Sequence, residues 1–121
     1  MKKFEIEFYE KENGSCPVEE FLLSLDKKMR AKLAGLMGIL QEKGNLLREP
    51  HSKHIEDGIF ELRGKIGTDI VRVLYFFYYE GNIIFTNGFV KKVQKTPKKE
   101  IDKAKKYRKD YMARCKENEK V

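Results

Sequence analysis

The segment Phe4-Glu5-Ile6-Glu7-Phe8 alternates strictly between apolar and acidic residues, which predicts a strand with Phe4, Ile6 and Phe8 on one face. Asn13-Gly14-Ser15 marks a turn. Beyond it the apolar residues change to helical spacing. Val18, Phe21, Leu22 and Leu25 share one face of a helix that starts at Pro17, with Glu19 and Glu20 in its first turn. Proline needs no donor there, and carboxylates favour the positive end of the helix dipole. Asp26 is placed to cap a second helix with the stripe Met29, Leu33, Leu36, Met37 and Leu40 and a stop at Gly44-Asn45. The two together predict a helical hairpin. Gly35 and Gly38, each about 1 kcal/mol worse than alanine inside a helix, point to a close approach by a neighbouring element.

Residues 44–58 are polar, contain Pro50 and read as a loop. Three strands follow at 59–63, 69–79 and 82–93, rich in β-branched and aromatic residues, with short turns at 64–68 and 80–82. They predict an antiparallel meander. Thr96-Pro97 then supplies a cap and a helix-starting proline. Ile101, Ala104, Tyr107, Tyr111 and Cys115 form the apolar stripe of a last helix whose other faces are crowded with lysine. The order strand, helix, helix, three strands, helix is α+β.

Composition narrows the class. The 121 residues suit a single domain spanning 1–121. Hydrophobic residues at 40% and aromatics at 12% argue against disorder. The longest uncharged apolar run, residues 73–79, is far too short for a bilayer, and the first residues lack a secretory-type apolar stretch. Cys16 and Cys115 read as reduced thiols of a cytoplasmic protein. Charge is uneven: residues 88–121 hold 13 Lys and Arg against 5 Asp and Glu, so the rest of the chain carries −1 of the total of +7. A basic end suggests either a polyanionic partner, most often nucleic acid, or a solubilising tail.

Three places stand out chemically. Arg72 is the only charge in the strand from Ile70 to Tyr79, where it must either pair with a carboxylate such as Glu61 or face a site. Glu61 and Arg63 alternate with Phe60 and Leu62 and so share the face away from the core. If the next strand pairs with theirs, Arg63 and Arg72 converge on one surface. Lys91, Lys92 and Lys95 precede a helix start, a suitable place for phosphate. His51 and His54 are too few ligands for zinc; either one suits an RNA contact or acid–base work. Walker, GxGxxG, GxSxG and EF-hand motifs are absent.

The blocks Gly58-Ile59-Phe60-Glu61-Leu62-Arg63, Arg72-Val73-Leu74-Tyr75-Phe76 and Phe89-Val90-Lys91-Lys92-Val93-Gln94-Lys95-Thr96-Pro97, in this order and spacing, resemble the HigB-like branch of the RelE toxin superfamily, which includes phage-derived members. The resemblance runs from about Pro17 to Tyr111. It implies an antiparallel sheet with an N-terminal helical hairpin on one face, the active surface on the other, and a C-terminal helix. It also implies the toxin of a type II toxin–antitoxin pair: a metal-independent, cofactor-free endoribonuclease that cuts mRNA on the ribosome and is neutralised by a HigA-like helix-turn-helix antitoxin. Operator DNA would be met only through the antitoxin, and no membrane is involved. In such chemistry a ribose 2′-OH attacks the adjacent phosphorus and the 5′-oxygen leaves, which calls for a base, an acid and positive charge.

The resemblance offers Arg63 and Arg72 for the charge, Lys91 and Lys92 for charge or proton transfer, and Glu61 as base. Lys95, His54, Lys98 and Lys99 are offered for RNA binding. Some branches use a late histidine or tyrosine; this chain has no histidine after His54, so Tyr107 and Tyr111 are further candidates unless they pack the last helix. The antitoxin is expected on the helical hairpin or the last helix. The competing readings are a nucleic-acid-binding module without catalysis and a phage structural protein.

Overall fold

The computed structural model describes residues 4–79, 81–90 and 95–119. In chain order the elements are β1 (Glu5–Phe8), α1 (Pro17–Ser24), α2 (Lys27–Lys43), β2 (Ser52–Glu56), β3 (Ile59–Ile66), β4 (Asp69–Tyr78), β5 (Asn82–Val90) and α3 (Lys98–Glu119), with a short 3-10 turn at Gly44–Leu46. The strands form one sheet in the order β1-β5-β4-β3-β2. From β2 to β5 the pairing is antiparallel, as the short turns predict, while β1 joins the β5 edge in parallel. The α+β class, the helical hairpin and the last helix are those expected. No helix of the described residues is long and apolar enough to cross a membrane.

Strand alternation divides the sheet into two faces. Leu62, Val71, Val73, Tyr75, Ile83 and Phe85 point to the helical hairpin and bury Val18, Met29, Leu33, Leu36 and Leu40 against them. Phe4, Ile6 and Phe8 join the same cluster, so the alternation at the N-terminus does predict the buried side. Asp26 caps α2 by accepting the Met29 N–H at 2.8 Å. The opposite face carries Ile59, Leu74, Phe76 and Ile84, which pack on Ala104, Tyr107, Tyr111 and Met112 of α3.

Three expectations are corrected. Residues 44–58 are not all loop: β2 is an edge strand whose one side chain sealed in the core is Ser52, with its hydroxyl bonded to the Tyr75 hydroxyl. Polar residues replace the alternation that would have marked it. The β2–β3 turn is Asp57-Gly58, both at positive φ, a sequence pair suited to a two-residue hairpin. Second, β3 runs on through Gly64, which has no side chain because Leu33 of α2 lies only 2.9 Å from where a Cβ would stand. Third, Gly35 and Gly38 mark no close approach, since nothing lies within 4 Å of a Cβ at either. The tight contacts are at Gly64 and at Gly88, against the Phe21 ring.

A register shift between Leu74 and Tyr75 of β4 brings Asn87, rather than Thr86, round to α3. There its Nδ2 donates to the Glu100 carbonyl at 3.2 Å and to Glu100 Oε1 at 3.1 Å, which fixes where α3 begins. Farther along α3, the Tyr9 hydroxyl donates to Asp110 at 2.5 Å, Arg114 donates to the same carboxylate at 2.7 Å and to the Glu10 carbonyl, and the Tyr111 hydroxyl donates to Glu7 at 3.1 Å. Tyr107 stacks on Tyr9 with ring centroids 4.7 Å apart.

These ties predict an alkaline limit. Burial first, then the Asp110 carboxylate, push the Tyr9 hydroxyl from 10.0 up to about 12, and burial pushes Tyr75 up to about 12. Between those values the unfolded chain ionises both phenols while the fold keeps them protonated. Their contribution is therefore intact below the unfolded pKa and is lost as pH rises toward 12. Tyr9→Phe should flatten the fall of unfolding free energy across that window in urea titrations; an unaltered slope would contradict this account of Tyr9.

Candidate functional site

The β3–β4 ladder sets Arg63 directly opposite Arg72, on the face away from the helical hairpin. The convergence left open by the sequence is therefore present. Glu61 lies between them, its side chain wholly shielded from solvent. Arg72 Nη1 donates to both Glu61 oxygens, at 2.6 Å to Oε2. Arg63 Nη2 reaches Oε1 at 3.3 Å, and the Thr96 hydroxyl donates to Oε2 at 3.3 Å. The hydroxyl expected to cap the last helix is thus given to the buried carboxylate. Two guanidiniums on one carboxylate leave the cluster with a formal excess of one positive charge. A carboxylate this deep is tolerated only because donors surround it.

The start of α3 stands over this cluster and leaves a cleft of about 520 Å³. Glu61 and Arg72 line it, with Lys53, His54, Ile55 and Glu56 from β2 and Lys95, Thr96, Lys98 and Ile101 from the approach to α3 and its first turn. The Arg72 side chain is 7% exposed, and its Nε is buried without a hydrogen-bond partner among the described residues. Lys95 and Lys98 take part in none of the ion pairs among the described residues. Lys53 has only a long contact, 3.8 Å, with Glu49. The lining is therefore cationic, with one neutralised acid at its floor and Glu56 bonded outward to Lys105 at 2.5 Å. Such a lining can hold a phosphodiester, with guanidinium beneath and ammonium groups at the rim.

Among the residues singled out from sequence, Arg72, Glu61, Lys95, Lys98 and His54 all line this one cleft. Arg63 touches the same carboxylate without being part of the lining, and its side chain is 23% exposed. Lys99 is exposed on α3 outside the lining. Lys91 and Lys92 lie outside the described residues. The His54 imidazole rests edge-on against Phe60, with centroids 5.0 Å apart, and its Nε2 accepts the Gly58 N–H at 3.2 Å. Tyr107 and Tyr111 are packing residues of α3. Among the described residues no three His, Cys, Asp or Glu side chains gather as a metal site. Five lining residues, Lys53, Ile55, Glu56, Thr96 and Ile101, are not among the site candidates of the sequence. Lys53 sits opposite Glu61 only because the β2–β3 register shifts between His54 and Glu56; the Asp57-Gly58 turn alone would set it opposite Leu62, so no local signal places it. Thr96 reads from sequence as the helix cap, and no local signal distinguishes the two uses of its hydroxyl.

No curated protein matches the chain. The sequence model for the phage-derived Gp49-like proteins (DUF891) matches residues 20–109, a span that holds the whole sheet except β1 together with the cleft and the first half of α3. That span is well over half of the chain, and the chain belongs to the phage-derived Gp49-like family, a RelE-type, toxin-like family.

Proposed function

We propose that this protein is the HigB-like toxin of a type II toxin–antitoxin pair, a ribosome-dependent, metal-independent mRNA endoribonuclease acting in the cytoplasm. The observation that carries the reading is the cleft itself: a buried arginine flanked by Lys95 and Lys98, which are in no ion pair among the described residues, on the face of the sheet away from the helical hairpin. In this reading the scissile phosphate sits against Arg72 and Arg63, whose guanidiniums stabilise the charge that builds as the 2′-OH attacks. Lys53, Lys95 and Lys98 hold the flanking backbone, and Lys99 extends that contact. Glu61 has its oxygens taken by three donors, so we assign it to orienting the arginines. Proton transfer then falls to lysines of the Lys91–Lys92 pair. The partner is a helix-turn-helix antitoxin, through which alone operator DNA would be contacted.

A second reading, a nucleic-acid binder without catalysis, is favoured by one observation: the only histidine of the cleft has its Nε2 engaged with Gly58. One experiment separates the two. Induced expression without antitoxin should arrest growth and translation while DNA stays intact, and 5′-end mapping should find new breaks within translated mRNA. Folded protein that accumulates with translation unchanged would reject the toxin reading. Translation arrest with no new 5′ ends would favour the binder.

A further inference from the structure

Along α3, Lys98, Lys105, Lys109 and Lys116 stand at i, i+7, i+11 and i+18. This is the spacing of a straight row on one side of a helix, about 27 Å long at 1.5 Å per residue. The row begins in the cleft, because Lys98 lines it, and Lys105 is bonded to Glu56, another lining residue. It lies on the flank of α3 toward β2. Lys98, Lys109 and Lys116 have no ion-pair partner among the described residues, while Lys105 is paired with Glu56.

We infer that this row is a track for the RNA backbone beyond the cleft, so that the protein grips a strand well past the nucleotide held at Arg72. The inference rests on the cleft being an RNA site and adds where the rest of the RNA goes. Charge and continuity support it: a line of four lysines, three of them in no ion pair among the described residues, leads directly out of a cationic cleft, and a polyanion is what neutralises such a line. A membrane surface fits less well. A helix lying on lipid needs a free apolar face, and the apolar face of α3 is used against the sheet. None of the exposed large hydrophobic residues is on α3.

The test is binding of labelled, 2′-O-methylated, uncleavable RNA to the full chain, by fluorescence anisotropy over a salt series. One probe is about four nucleotides long and fills the cleft; the other is about twenty and reaches the end of the row. Lys109→Gln with Lys116→Gln should weaken the long probe roughly tenfold and reduce its log–log salt slope by about 0.7 per lysine removed. The short probe should bind unchanged. Lys27→Gln with Lys28→Gln on α2 removes the same charge elsewhere and should alter neither. Wild-type affinity of the row variant for the long probe, or an equal loss for both probes, overturns the track while leaving the cleft reading in place. Failure of both probes to bind the wild-type chain overturns the cleft reading and the track with it. Row-dependent binding to phosphatidylserine vesicles, with RNA binding unaffected, would also overturn it.

Discussion

Arg72→Ala is expected to lower stability by about 3–5 kcal/mol, a drop in Tm of roughly 15 °C for a chain this size. The substitution removes the guanidinium that holds both oxygens of a fully buried carboxylate. Arg63 and Thr96, each at 3.3 Å, do not replace it, and a buried carboxylate is left under-paired at a free-energy cost. Replacing both partners, as in Glu61→Leu with Arg72→Met, should recover most of the loss, because a buried pair exchanged for apolar groups is often close to neutral. Thermal unfolding of the three variants checks this. If Arg72→Ala melts within a few degrees of the wild type, the pair is not what keeps Glu61 in place.

Arg63→Ala should behave in the opposite way. Its side chain is partly exposed, and its contact with Glu61 is the longer one, so Arg72 still satisfies the carboxylate when Arg63 is gone. Tm should change little. The rate of mRNA cleavage on ribosomes should fall about 10²–10³-fold, some 2.7–4 kcal/mol, the effect of losing one donor to a developing charge. Single-turnover cleavage with purified ribosomes and a defined message gives the number. Undiminished cleavage by a folded Arg63→Ala protein would leave Arg72 as the only arginine on the phosphate. The two substitutions together separate what an arginine does for the fold from what it does for the reaction, which loss of toxicity alone would not.

Much of this was legible in the residues. The period-two alternation at Phe4–Phe8 and the helical stripes from Val18 to Leu40 identify the buried face of each element, since burial of apolar side chains is what the pattern encodes. The single charge within 70–79 correctly marks Arg72 as either paired or functional, and the structure shows a buried pair at the floor of a cleft. What escaped was set by tertiary context. β2 is an edge strand with a buried serine in place of an aliphatic residue, so its membership of the sheet depends on Tyr75 and on β3 rather than on its own composition. Lys53 was hidden with it. The Thr96 hydroxyl had two equally good local uses, and the depth of Glu61 decides between them. Gly35 and Gly38 misled because a helical glycine suggests contact, whereas both face open space.

The ties between β1 and α3 also bear on how the chain folds as it is made. Tyr9 and Asp110 are 101 residues apart in sequence, so at 5–20 residues per second the first waits about 5–20 s for the second. The hairpin side of the sheet is complete by Val90, but the other hydrophobic layer has no cover until α3 has been synthesised. The cleft follows the same schedule: its floor, Glu61 and Arg72, precedes its far wall, Lys95 to Ile101. The residues of the first layer and of the arginine surface are therefore synthesised before those that complete the site. Long-range closure of this kind also makes for slow folding, so the assembled cleft is a late product of synthesis.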